Sequence, residues 1–369
     1  MRRLQLSRVR PGMVLAKSIF FYGTHALATE DQVIDEAFIK QLSDTGYSAI
    51  IVHDDRTTHP SSPEPLRESA QFMAYRVVRD AYRQAQAGAY LDIEKLVYVA
   101  EQLVQEMVHA PQERQFVAHQ YPSTFHEYVY EHMVRVATLA VAVGIQLGYG
   151  TQQLRDLAIG GLLMDIGEME IKQGILDKSD LLATDEVDEM RRHCYLGFHL
   201  VRSYAIVPLP SAAAVLHHSE RMNGSGYPQN LSGDAIHTYG RILAVCDTYD
   251  ALITDHRYRN RYLPEQALGM LRAGASVLFD KQVVNAVESI VTPYPLGTMV
   301  ELSDGRTACV VSVRRDAMLK PKVRVLLDEQ RNLQETIAEL NLEHTPDIAI
   351  LRAIEDSAVP ILWQSVHYY

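Results

Sequence analysis

Between residues 116 and 292, apolar side chains recur at three- and four-residue steps in one segment after another. That is the period of helices that each bury one face. In EYVYEHMVRVATLAVAVGIQLG the residues His132, Val136, Leu139, Val143 and Leu147 follow these steps, which puts a histidine on or beside the buried stripe. TQQLRDLAIGGLLMDIGEME, EVDEMRRHCYLGFHLVRSY, SAAAVLHHSERM and YGRILAVCDTYDALIT continue the pattern. Nine of the 15 histidines fall between 116 and 256. Helical cores do not need histidine, whereas a metal centre in a bundle draws its ligands from several facing helices.

The flanks read differently. In the first sixty residues MVLAKSIFF and YSAIIVHDD have the character of strands, and EAFIKQLSDTG that of a short helix ending at Gly46. The prolines and serines of HPSSPEP mark a linker, and residues 66–108 resume a helical spacing interrupted near Gly88. After YPLG the period changes. TMVELSDGRTACVVSVRR and KPKVRVLLDEQ alternate and carry β-branched residues, with DG as a hairpin turn. The expected organisation is mainly α: a small α/β unit over 1–60, a helical linker region over 61–115, a helical domain over 116–294 and a β-rich module over 295–369. The helices of 66–115 are expected to pair with a second copy as a homodimer.

With 35 Lys+Arg against 46 Asp+Glu, the formal charge of −11 argues against binding duplex nucleic acid, which requires a basic footprint. It leaves room for a small phosphate ligand. The three cysteines, Cys194, Cys246 and Cys309, are far apart in sequence and form no C-x-x-C pair, so neither a disulfide framework nor a zinc knuckle is expected. Arg8, Arg10 and Pro11 break any signal-peptide core, and the apolar run Val136 to Ile145 is too short to span a bilayer. A soluble, cytoplasmic protein with no membrane contact is expected.

His132, Asp165, His193, His217, His218 and Asp247 combine a metal-binding side chain with an apolar helical context. A buried carboxylate at Asp165, in GGLLMDIG, needs a metal, a cation or several donors to offset its desolvation. Asp247 in RILAVCDTYDALI repeats the argument. The adjacent His217 and His218 point about 100° apart on a helix and cannot chelate one ion as an i,i+4 pair does. They suit neighbouring ions, or one ion and a substrate oxygen. NGSGYP, residues 223–228, specifies a fixed loop, because glycine permits positive φ and proline sets it.

HHSERMNGSGYPQNLSGDAIHTYGRILAVCDTYDALIT resembles the signature stretch of HD-GYP proteins, a branch of the HD phosphohydrolase superfamily. The resemblance runs from about 116 to 295 and rests on GYP, the following L-x-G-x-x-I, and R-I-x-x-V-x-D-x-Y-D-A-L. It implies a helical bundle holding two or three ions, usually iron or manganese, that hydrolyses cyclic di-GMP. The implied metal ligands are His132, Asp165, His193, His217, His218 and Asp247, with Asp165 the catalytic carboxylate that bridges two ions. Gly226, Tyr227 and Pro228 form the GYP loop, and Asp250, Arg259 and Tyr227 fall near the nucleotide. Imidazole and carboxylate ligands suit iron or manganese, whereas thiolates would suggest zinc.

The chain departs from this pattern at several points. Met164 stands where the HD histidine is expected, and a thioether has little affinity for hard divalent ions. Glu168 replaces a phosphate-contacting lysine; one helical turn from Met164, it could serve as a substitute ligand. His256, followed by Arg257, takes the place of an arginine. Asn223 replaces an aspartate, Ser219 is an extra residue, and Tyr128 replaces the glutamate associated with a third ion. Two ions are therefore expected if the site is intact, and one or none if it is not. Two function classes follow: a cyclic di-GMP phosphodiesterase with an altered ligand set, or an inactive cyclic di-GMP receptor or protein-interaction scaffold.

Overall fold

A computed structural model describes residues 2–21, 25–54, 57, 66–109, 128–176, 178, 180–255 and 261–355. The N-terminal unit comprises β1 (Arg2–Gln5), β2 (Ile19–Phe21), β3 (His25–Ala28), α1 (Glu36–Asp44) and β4 (Ala49–Val52). β1 pairs antiparallel with β4, and β2 with β3. The Asp35 carboxylate accepts the Phe38 amide at 2.7 Å to start α1. Gly46, at φ +85°, ends the segment where expected. Phe38 and Leu42 face a core with Leu4, Ile34 and Ile50. MVLAKSIFF is not one strand: Val14 and Leu15 form isolated bridges and only Ile19–Phe21 is regular.

The helical period resolves into α2 (Glu68–Gln86), α3 (Ile93–Val108), α4 (Tyr128–Gln146), α5 (Thr151–Leu163), α6 (Gln173–Leu176) and α7 (Thr184–Arg191). These are followed by α8 (His193–Arg202), α9 (Leu209–His217), α10 (Thr238–Ile253), α11 (Pro264–Gly274) and α12 (Lys281–Ile290). One apolar core runs through them from Leu66 to Val291. The stretch expected as a linker therefore belongs to the bundle. Val78, Ala81 and Tyr82 on α2, and Leu96, Ala100 and Leu103 on α3, are buried in that core. Tyr82 meets Tyr130 of α4 edge to face at 5.2 Å between ring centres. Among the described residues α4 alone is long and apolar enough to cross a membrane, and it is mostly buried, packed on α5 and α10.

Two adjacent glycines set the centre of the bundle. A Cβ on Gly160 would lie 2.9 Å from the Ala214 Cβ of α9, and one on Gly161 would lie 2.8 Å from the Ala137 Cα of α4. α5 thus approaches both neighbours closely, and its C-terminal end delivers Met164 and Asp165 to the middle of the molecule.

The C-terminal module is a five-stranded antiparallel sheet of β5 (Met299–Leu302), β6 (Thr307–Ser312), β7 (Lys322–Leu327), β8 (Leu333–Asn341) and β9 (Ile350–Ile354), ordered β8-β7-β6-β5-β9. The Asp304–Gly305 turn joins β5 to β6 as expected, with Gly305 at φ +88° and the Leu302 amide on the Arg306 carbonyl at 2.9 Å. Both flanking units touch the bundle. Arg3 and Ser48 pair with Asp255 just beyond α10, and the Ala353 amide donates to Glu265 of α11 at 2.9 Å.

Candidate metal centre

Four helices and one turn converge at the end of α5. α4 contributes Tyr128, His132 and Arg135, spaced one turn apart on one face. Asp165 caps a 3-10 turn, Ile166–Glu170, that carries Glu168. α8 opens with His193 and Cys194, α9 ends in His217 with His218 beyond it, and α10 presents Asp247 and Asp250 on one face. The turn and α8 meet at Gly167, where a Cβ would collide with the His193 carbonyl oxygen and the Gly197 amide nitrogen. Gly167→Ala should push α8 away from Asp165. We expect a loss of ~1–3 kcal/mol in stability together with weaker metal uptake, checked by denaturant unfolding and metal analysis of the same preparation.

The two carboxylate oxygens of Asp165 face two sets of histidines. Oδ1 lies 3.6 Å from His193 Nε2 and 3.5 Å from His218 Nε2. Oδ2 lies 3.7 Å from His132 Nε2, which is also 3.0 Å from Asp247 Oδ1. The tautomers are fixed from behind. His193 Nδ1 donates to the Met190 carbonyl at 2.7 Å and His218 Nδ1 to the Val215 carbonyl at 2.8 Å. Their Nε2 atoms, left as acceptors, face each other at 3.1 Å. Two lone pairs at that distance repel unless a proton or a cation lies between them, the arrangement of metal-ligating imidazoles held by backbone carbonyls. Cys194 Sγ joins them, 3.4 Å from His193 Nε2 and 3.8 Å from His218 Nε2. Asp247, its side chain 23% exposed, is the most open member of the set.

The electrostatics are those of a cation-seeking pocket. Burial works against a charged His132, but its hydrogen bonds to Asp247 and Asp250 override that and push it up to about 10. Burial likewise opposes ionisation of Asp165, yet His218, His132 and His193 draw it down to about 2. Burial would raise the Cys194 thiol, and His218 and His193 instead pull it down to about 6. Glu168 moves the other way, lifted to about 8 by burial and by the charge of Asp165.

The expected residues divide in three. His132, Asp165, His193, His218 and Asp247 are brought together. His217 turns aside, as two adjacent helical residues must: its Nε2 faces Gln229 Oε1 at 3.2 Å and its Nδ1 accepts the His237 amide at 3.1 Å. Asp250, expected at the nucleotide, is buried and fully engaged. One oxygen accepts His132 Nδ1 at 2.7 Å, and Arg135 donates to both, at 2.8 and 3.0 Å. It orients His132 instead of facing solvent. Among the described residues the Glu168 side chain makes no hydrogen bond or ion pair to the cluster, although its amide donates to the Asp165 carbonyl at 2.9 Å. Arg259, His256 and Arg257 lie outside the described residues. Asp250→Asn should weaken metal binding at His132 by ~10–100-fold, measured by titration against the parent protein.

The loop 223–228 closes over one side. Its Tyr227–Pro228 bond is cis. Tyr227 stands edge-on to His193 at 6.1 Å and under the Arg191 guanidinium at 5.5 Å. Gly226 sits so close to Glu220 and Arg221 that a Cβ would overlap their backbone. Glu220, 1% exposed, accepts the Gln229 and Leu231 amides at 2.7 and 3.0 Å and so fixes the loop. Sequence reading passed over Glu220 and Arg135, whose partners are set by tertiary contact. It also passed over Cys194, although its place directly after His193 was a signal.

Residues 117–283 match the HD domain family, and residues 299–360 match the KOW domain associated with HD domain. The chain is 30% identical over 278 residues to cyclic di-GMP phosphodiesterase PA4108 of Pseudomonas aeruginosa, covering 73% of this chain and 66% of that protein. The chain belongs to the HD superfamily, in its HD-GYP branch. A second relative, the cyclic di-GMP phosphodiesterase response regulator RpfG of Xanthomonas campestris, is 34% identical over 155 residues, covering 42% of this chain and 41% of that one. The HD-GYP chain thus spans just under two thirds of PA4108 and less than half of RpfG. It also resembles the solved structure of Bd1817 from Bdellovibrio bacteriovorus, with a TM-score of 0.48 at 14% identity over 78% of this chain and 98% of that one. The helical HD-GYP domain is thereby followed by a KOW module, which is the β5–β9 sheet.

Proposed function

We propose that this chain is a metal-dependent phosphodiesterase that opens cyclic di-GMP at a two-ion centre. The observation that carries the reading is Asp165, whose two oxygens address two separate groups of ligands. His132 and Asp247 complete one subsite, and His193 and His218 the other. Relatives named for cyclic di-GMP hydrolysis support the substrate. Divalent ions, with iron or manganese suited to the His132–Asp247 subsite, would supply an ionised water near neutral pH and a clamp on the scissile phosphate.

The chain's own contribution is positioning. Asp165 holds both subsites at one spacing. The backbone carbonyls of Met190 and Val215 take up Nδ1–H of His193 and His218 and aim their Nε2 atoms at each other and at Asp165, and Asp250, held by Arg135, aims His132 Nε2 at Asp165 and Asp247. Asp247 marks the open side, where a phosphate would enter, and Arg259 is assigned to the nucleotide from its place in the motif.

The test is hydrolysis of cyclic di-GMP by protein purified without oxygen and supplied with Fe²⁺ or Mn²⁺. Linear dinucleotide or GMP should form, stop on chelation and resume when metal is restored. No product, with less than one ion per chain, would overturn this reading in favour of a receptor or scaffold.

A further inference from the structure

We propose that Cys194 is a metal ligand, and that the His193–His218 subsite is a thiolate-containing site built on His193, Cys194 and His218. The inference rests on reading the cluster as a metal centre and adds a ligand and a difference in metal preference between the two subsites.

The geometry carries it. A tetrahedral ion with metal–nitrogen bonds of about 2.0–2.1 Å and a metal–sulfur bond of about 2.3 Å has ligand–ligand edges of roughly 3.3–3.6 Å. The observed separations are 3.1 Å between the imidazole nitrogens, 3.4 and 3.8 Å from them to Sγ, and 3.6 and 3.5 Å from them to Asp165 Oδ1. The three edges among His193 Nε2, His218 Nε2 and Cys194 Sγ are thus already near their bonded lengths, and these three atoms form one compact group. Cys194 is 0% exposed, and among the described residues its sulfur has no neighbour of hydrogen-bonding type other than these two nitrogens. His217, expected among the metal ligands, is engaged with Gln229 and His237.

Ion binding at this subsite breaks the Cys194 S–H bond, forms the metal–sulfur bond and releases the proton to solvent. A thiolate shifts preference from Mn²⁺ toward softer ions such as Zn²⁺ and Co²⁺.

The experiment loads the metal-stripped full-length protein with Co²⁺. The parent protein should show an intense near-ultraviolet sulfur-to-cobalt charge-transfer band. Cys194→Ser should lose that band while keeping weaker visible absorption from the remaining ligands. It should also bind Zn²⁺ more weakly by at least the ~10–100-fold that loss of an outer hydrogen-bond partner costs, with Mn²⁺ affinity changing less than Zn²⁺ affinity. X-ray absorption of the Zn²⁺-loaded parent protein should show sulfur at about 2.3 Å, which keeps the test independent of how the variant folds. Co²⁺ bound without the band, a band that survives Cys194→Ser, or zinc without a sulfur neighbour would overturn thiolate ligation and leave the phosphodiesterase reading standing. Failure to bind any ion would overturn both.

Discussion

Asp165→Asn should reduce metal-dependent hydrolysis of cyclic di-GMP by ~10³-fold or more, equivalent to roughly 4 kcal/mol in the barrier, and should lower metal content at both subsites. The side chain keeps its size, so the bundle core around Met164 and Ile166 is undisturbed. What changes is charge. Oδ1 faces His193 and His218, and Oδ2 faces His132. An amide there offers one neutral oxygen and an NH₂ aimed at a ligand nitrogen. The check is linear-product formation measured beside metal stoichiometry. Full activity in a variant of normal metal content would remove Asp165 from the mechanism. Loss of activity with both ions retained would make it a catalytic group and not a bridge.

Met164→His should raise the affinity of the His132–Asp247 subsite for Mn²⁺ by about tenfold or more, since a neutral thioether gives way to an imidazole suited to that ion. Met164 is 0% exposed and belongs to the apolar core. A histidine there bears a desolvation cost of ~1–3 kcal/mol when it finds no partner. The variant should therefore melt lower than the parent without metal and gain more from added Mn²⁺, because an ion that binds only the folded state stabilises it by mass action. Thermal unfolding at several Mn²⁺ concentrations reads both effects. An unchanged Mn²⁺-dependent shift would mean that position 164 does not address the subsite.

Much of the centre was legible in the sequence because burial and chemistry conflict there. A carboxylate inside GGLLMDIG and another inside RILAVCDTYDALI need a reason, and histidines concentrated on apolar helical faces supply one. The DG hairpin, the Gly46 helix end and the helical period from α4 to α12 are local properties, set by turn geometry and the 3.6-residue repeat, and they are found where expected. Polar partnerships between distant segments carry no local signal. Arg135 meets Asp250 across 115 positions, and Glu220 acts on loop amides nine and eleven residues away. β1 was missed because RRLQ has too few apolar residues to read as a strand until β4 pairs with it and Asp54 neutralises Arg2. The segment 61–115 reads as a linker on composition, because only the packed bundle shows where its apolar faces go.

The sequence by itself determined the fold class, the family and the types of residue at the centre, since these depend on periodicity and on motifs of fixed spacing. Only the tertiary structure decided which of these side chains converge. His217 and His218 are neighbours in the chain and separate in space because a helix turns them about 100° apart. Cys194 looked isolated among distant cysteines, but the packing of α8 on α9, close at Gly197 and Val215, brings its sulfur beside His218 as well as His193. Coordination depends on where atoms converge in three dimensions, and helix packing sets that convergence.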